Sequence, residues 1–194
     1  GFLGTPWICH VLSDWGYWDE AFMLLNRKKY PSWLYPITKG ATTIWERWDG
    51  IKPDGSFQNA GMNSFNHYAY GAIGEWLYTV VAGIKIDEKA PGYKHSIIAP
   101  NPGGELTSAK AKVNTMYGDL ASGWELTDNR LKLAIEIPAN TTATVHLPNA
   151  ELAGVEIDGQ ALRSAKQVDN LKQVDSKVAF ELGSGQYEIS YEMK

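Results

Sequence analysis

The run Ala69-Tyr70-Gly71-Ala72-Ile73-Gly74-Glu75-Trp76-Leu77-Tyr78-Thr79-Val80-Val81-Ala82-Gly83 decides how the chain divides. Ala69, Ile73, Trp76, Leu77, Val80 and Val81 recur at three- and four-residue intervals, an apolar stripe that predicts a long helix with Asn66 as its cap. Seven of the eight tryptophans precede residue 80, whereas Thr, Val, Ile and Lys dominate beyond Gly83. A boundary is therefore expected within residues 83–92, giving domains of residues 1–85 and 86–194.

Upstream of that helix the pattern is helical. Thr5-Pro6 reads as an N-cap followed by proline at the first helical position, with Trp7, Val11 and Leu12 on one face. After Gly16, the residues Trp18, Ala21, Phe22, Leu24 and Leu25 predict a second helix ending near Asn26, so the two form an αα-hairpin. Pro31-Ser32-Trp33-Leu34-Tyr35 predicts the start of a short third helix that Gly40 terminates, followed by an extended Ala41-Thr42-Thr43-Ile44-Trp45. Pro53-Asp54-Gly55 marks a turn.

Downstream, apolar and polar residues alternate. Strands are expected at residues 110–116, 131–137, 142–147, 154–157, 178–182 and 187–191, separated by turn signals such as Asp128-Asn129, Pro138-Ala139-Asn140 and Asp158-Gly159. The second domain is thus expected to be an antiparallel β-sandwich, and the chain as a whole α+β and multidomain.

Composition excludes several classes. A hydrophobic fraction of 44% with 21% charged residues is that of a soluble globular chain, and no apolar run reaches the roughly 20 residues of a membrane helix. A net charge of −4 with scattered Lys and Arg disfavours nucleic acid as a partner. The single cysteine, Cys9, excludes an internal disulfide and reads as a buried structural residue. The opening Gly1-Phe2-Leu3-Gly4-Thr5-Pro6 is no signal peptide, so an export signal, where there is one, lies upstream and implies a secreted or periplasmic protein. No phosphate loop, paired-histidine metal motif or Gly-x-Ser-x-Gly elbow is present, and neither a metal nor a cofactor is expected.

The chemistry concentrates in Thr42-Thr43-Ile44-Trp45-Glu46-Arg47-Trp48-Asp49, where a carboxylate sits between two indoles and beside a guanidinium. Sugars present apolar C–H faces and hydroxyl edges, so their sites combine aromatic platforms with carboxylates, amides and arginine. The alternative reading makes Trp45 and Trp48 core residues, with Glu46 and Arg47 solvated or paired. His67 falls in the first turn of the predicted long helix, where it either binds a polar ligand or satisfies the backbone. Glu75 is either an exposed helix-face charge or a buried partner for Arg47 or another cation. Asp14, Asp19 and Glu20 flank a helix–helix turn and need no catalytic explanation.

Three ordered stretches carry a resemblance: Tyr30-Pro31-Ser32-Trp33-Leu34-Tyr35, Gly40-Ala41-Thr42-Thr43-Ile44-Trp45-Glu46-Arg47-Trp48-Asp49-Gly50, and Ser64-Phe65-Asn66-His67-Tyr68-Ala69-Tyr70-Gly71. They are similar to the bacterial α-L-rhamnosidases of glycoside hydrolase family 78. Gly1 to Pro6 resembles that family's late-barrel helix start, and the β-half resembles its carboxyl-terminal domain. The resemblance implies αα-hairpins from the end of an (α/α)6 barrel and hydrolysis of terminal α-L-rhamnosyl groups with inversion. It implies that Glu46 is the general base and His67 a rhamnose-binding residue, with Trp45 and Arg47 in the same binding motif and the general acid upstream. An incomplete barrel leaves apolar helix faces uncovered, so packing against the N-terminal part of the same protein, or another copy, is expected. The rival readings are a non-catalytic carbohydrate-binding or structural module, and another inverting barrel glycosidase.

Overall fold

The computed structural model describes residues 3–194, so Gly1 and Phe2 of the expected helix start lie outside the described residues. It comprises two compact units: one reaching Trp76 and including Gly103–Glu105, the other formed by Leu77–Pro102 and Leu106–Lys194.

In the first unit α1 (Thr5–Asp14) and α2 (Trp18–Asn26) form the expected hairpin. The cap of α1 is Gly4, one residue earlier than expected, and Pro6 lies inside the first turn, where its missing N–H costs nothing. The buried face also differs. Cys9 and Ser13 face inward, while Trp7 and Val11 remain 67% and 53% exposed. The cause is Trp76, whose indole N–H donates to Ser13 Oγ at 2.9 Å while Ser13 Oγ donates to the Cys9 carbonyl at 2.7 Å. Trp76 is fully buried with an edge-on contact to Phe22, centroids 5.2 Å apart.

The third helix, α3, spans only Tyr35–Thr38; Ser32 Oγ takes the Tyr35 N–H and holds the preceding residues in bends. Gly40, at φ 80°, ends it as expected. The helix expected to start after Asn66 begins instead at Ala69. It runs as a 3₁₀ turn (Ala69–Ala72), α4 (Ile73–Trp76) and, in the second unit, a π turn (Leu77–Val81). Asn66 gives its N–H to Ser64 Oγ and caps nothing, and His67 Nδ1 accepts the Ala69 N–H at 3.2 Å. These local side-chain bonds replace the helix start.

The second unit holds eleven strands: β1 (Ile84–Ile86), β2 (His95–Ile98), β3 (Ser108–Thr115), β4 (Gly118–Thr127), β5 (Arg130–Ile137), β6 (Thr142–Leu147), β7 (Glu156–Ile157), β8 (Gln160–Ala161), β9 (Val168–Val174), β10 (Lys177–Leu182) and β11 (Gly185–Glu192). One sheet runs β1-β2-β6-β10-β9 and the other β3-β4-β5-β11-β7-β8. All pairs are antiparallel except β2 with β6. Because β1 pairs with β2, a boundary between residues 85 and 86 would cut a strand.

Inward-facing Leu120, Trp124, Leu133, Ile135, Ile189 and Tyr191 of one sheet and Ile98, Val145, Leu147, Val178 and Phe180 of the other are each at most 3% exposed, as a sandwich requires. Trp124 Nε1 donates to the Val81 carbonyl at 2.8 Å and Ser122 Oγ to that of Ala82 at 2.6 Å. Gly83 is obligatory here: at φ 82° an added Cβ would lie 2.2 Å from the Pro100 nitrogen. Asp128-Asn129 and Asp158-Gly159, all at positive φ, make the tight hairpin turns read from the sequence.

Burial holds the half-buried His146 imidazole below its ordinary value of 6.5, with Lys85 and Lys177 acting in the same direction. As pH falls below 6.5 the unfolded chain takes up a proton that the folded chain resists, so stability declines with acidification in that window. His146→Thr is expected to flatten the loss of stability between pH 7 and pH 5 in urea melts; an unchanged slope would contradict this origin.

Candidate active site

Two segments of the long connection between α3 and the 3₁₀ turn at Ala69 run past each other. Glu46 donates its N–H to the Ser64 carbonyl at 2.9 Å, and the Ser64 N–H donates to Glu46 Oε2 at 3.1 Å. His67 donates its N–H to the Ile44 carbonyl at 2.8 Å, and Thr43 Oγ1 donates to the Phe65 carbonyl. Glu46 and His67, 21 residues apart in sequence, therefore lie on one wall. Both are partly buried.

An aromatic base supports this wall. The Trp48 ring stacks on Tyr70 with centroids 4.9 Å apart and meets Trp33 at 4.7 Å, and Trp33 Nε1 donates to the Tyr70 carbonyl at 3.0 Å. Burial, reinforced by the Asp49 carboxylate, pushes the Tyr70 hydroxyl above its ordinary value. Trp45 is 6% exposed and packs edge-on against Phe65. It is a packing residue here, which matches the core alternative for this indole and leaves little of its face to a sugar.

Arg47 Nη1 donates to Gln58 Oε1 at 3.0 Å. Gln58 stands at the end of the Pro53-Asp54-Gly55 turn, which closes as expected: Asp54 Oδ1 accepts both the N–H and the hydroxyl of Ser56. Glu75 pairs with His10 Nε2. Asp14, Asp19 and Glu20 are exposed, and burial pushes the Cys9 thiol up to about 11, in keeping with a structural role.

The residues that sequence reasoning passed over are Gln58, Asn63 and Ser64. Asn63 Nδ2 donates to the Gly50 carbonyl at 2.8 Å, the same oxygen that takes the Gln58 N–H at 3.1 Å. Asn63 Oδ1 and Trp48 Nε1 are buried without a partner among the described residues. The proximity of Asn63 to Ser64 and His67 in sequence was the available signal; its contact with Gly50 was not.

A carboxylate held by a backbone N–H, a guanidinium held by an amide and a histidine thus stand on one connection, the combination of groups that polyhydroxylated ligands call for. Residues 1–81 match the bacterial α-L-rhamnosidase six-hairpin glycosidase domain, and residues 83–162 match the bacterial α-L-rhamnosidase C-terminal domain. The chain belongs to the bacterial α-L-rhamnosidase family.

It is 44% identical over 194 residues to an α-L-rhamnosidase of Streptomyces avermitilis, covering 98% of this chain and 18% of that protein. A second, from Formosa agariphila, is 43% identical over 192 residues, covering 97% and 20%. The crystal structure of the Streptomyces enzyme complexed with L-rhamnose superposes with a TM-score of 0.88 at 42% identity, over 99% of this chain and 18% of that one. The α-L-rhamnosidase from Dictyoglumus thermophilum gives 0.85 at 34% identity, over 99% and 21%. The chain thus spans about a fifth of the length of these relatives.

The burial of Trp45 gives a contrast in stability. Trp45→Ala is expected to cost about 3–5 kcal/mol in urea unfolding, whereas Tyr68→Ala, at a residue 84% exposed, costs at most about 0.5 kcal/mol. Equal losses would contradict the assignment of Trp45 to the packing.

Proposed function

We propose that this chain is a part of an inverting α-L-rhamnosidase and supplies the general-base side of its active site. The observation that carries the reading is the anchoring of Glu46. One carboxylate oxygen, Oε2, takes the Ser64 N–H, and Oε1 takes no hydrogen bond from the described residues. A carboxylate fixed through one oxygen presents the other in a constant direction, which is what proton abstraction from a water molecule needs.

In this reading Glu46 Oε1 accepts a proton from water as the water oxygen bonds to the anomeric carbon. The glycosidic C–O bond breaks, and its electron pair leaves with the aglycone oxygen, which is protonated by a carboxylic acid upstream of this chain. The attack comes from the face opposite the leaving group, so configuration inverts. The two carboxyl groups then stand roughly 6.5–9.5 Å apart to admit the water. His67 and Arg47 bind the rhamnosyl hydroxyls, and Trp45 acts from behind, fixing the backbone that carries Glu46. The substrate is a rhamnose-containing glycan or glycoside.

Trp7, Ile8, Val11 and Trp15 are 67%, 41%, 53% and 78% exposed and share one side of α1. We propose that this stripe packs against the rest of the helical barrel in the longer polypeptide. The active unit is therefore the whole enzyme, with the helical part ending ahead of β1.

In the full-length enzyme, Glu46→Gln is expected to lower kcat on nitrophenyl α-L-rhamnoside by about 10²–10⁴-fold. Azide should rescue Glu46→Ala: its terminal nitrogen bonds to the anomeric carbon as nitrophenolate departs, giving the β-rhamnosyl azide. Wild-type turnover by Glu46→Gln would sink the base assignment and favour a binding module whose chemistry lies elsewhere.

A further inference from the structure

We infer that Asn63 is a positioning residue for Glu46, acting through the Ser64 N–H and the Gly50 carbonyl; this rests on the reading of Glu46 as the base. The Ser64 N–H belongs to the peptide plane that begins at Asn63, so the orientation of residue 63 sets the direction of the donor that holds Glu46 Oε2. Residue 63 is itself fixed by its side chain, whose Nδ2 donates to the Gly50 carbonyl at 2.8 Å.

Gly50 is a firm anchor. It is buried, its N–H donates to the Arg47 carbonyl at 3.2 Å, and its carbonyl also takes the Gln58 N–H at 3.1 Å. Gln58 in turn holds Arg47 at 3.0 Å. Glu46, Arg47, Gly50, Gln58, Asn63 and Ser64 are thus linked by the backbone and by hydrogen bonds. Asn63 joins the segment carrying the base to the segment carrying its anchoring N–H at the residue next to that N–H, while Thr43 joins them further off through the Phe65 carbonyl.

Two observations separate this role from generic packing. Asn63 Oδ1 is buried without a donor, a cost that a small apolar residue at position 63 would avoid. What the amide contributes here is its Nδ2 donor. Opposite it, Gly50 has little space: an added Cβ would lie 3.2 Å from Asn63 Oδ1, 3.3 Å from the Arg47 carbonyl oxygen and 3.4 Å from Phe65 Cε1. The clamp therefore admits two independent perturbations, loss of the donor at 63 and pressure from 50.

The test compares Asn63→Asp, Gly50→Ala and Glu46→Gln in the full-length enzyme on nitrophenyl α-L-rhamnoside. Asn63→Asp keeps the shape and removes the donor. Misplacing the base by a fraction of an ångström should lower kcat by about 10–100-fold, a larger factor than any rise in KM, because the defect falls on the base more than on ground-state binding. Gly50→Ala should act in the same direction. In both, the Ser64 amide should exchange its hydrogen at least about tenfold faster, since it loses its fixed acceptor.

A purely structural role would lower the melting temperature while leaving kcat per folded molecule unchanged, and that result overturns the proposal. If Glu46→Gln is inactive while Asn63→Asp and Gly50→Ala retain wild-type kcat and Ser64 protection, only the role of Asn63 falls. If Glu46→Gln turns over normally, the base assignment falls and takes this proposal with it.

Discussion

The reciprocal pairing of Glu46 with Ser64 is the constraint around which the helical unit's site is organised. One backbone bond of 2.9 Å and one bond from the Ser64 N–H to the carboxylate at 3.1 Å hold a charged side chain in a partly buried position. A partly buried carboxylate oxygen needs a hydrogen-bond donor, and a backbone N–H supplies one without the rotational freedom of a side chain. The irregular backbone from Ile44 to Gly50 and from Asn63 to His67 follows from this. Neither segment makes a regular strand: the Ser64 and Asn66 N–H groups go to side-chain oxygens, and the Arg47 carbonyl closes a local turn onto the Gly50 N–H.

Around that pairing, the helical unit reserves its buried positions for aromatic and polar anchors. Trp76 takes the interior place at the base of the helices and aligns α1 through Ser13, which turns Trp7, Val11 and Trp15 outward. Such a stripe of indoles and aliphatic groups is far more apolar surface than one helix of an isolated domain normally leaves to water. The β-unit is the opposite case. Its two sheets bury their inner faces completely, and its hairpins end in turns whose residues suit positive φ. The helical unit, by contrast, leaves Trp7, Val11 and Trp15 exposed.

Much of this organisation was legible in sequence because it rests on strong local signals. The pattern from Thr142 to Leu147 and the Asp128-Asn129 turn identify their elements without tertiary information. β4 was missed because Gly118, Gly123 and two further small residues dilute its alternation, although Trp124 anchors it in the core. The inward face of α1 was illegible for a different reason: a bond to Trp76, 63 residues away, outweighs the local apolar pattern. Glu46 and His67, the residues proposed for the site, stand out in sequence through their motifs. Gln58 and Asn63 do not, since their importance lies in which carbonyl or guanidinium they reach. The start of the long helix failed on competition between side chain and backbone at Ser64 and His67.

As the proposed base, Glu46 faces the anomeric centre of a bound rhamnosyl group from the side that water attacks. The most direct test is a crystal structure of the full-length enzyme soaked with L-rhamnose. The account predicts the sugar against His67, with Glu46 Oε1 within about 3.2 Å of the anomeric hydroxyl of the β-anomer, the inverted product. Rhamnose bound with its anomeric hydroxyl turned away from Glu46, or bound only at a site remote from it, would contradict the account.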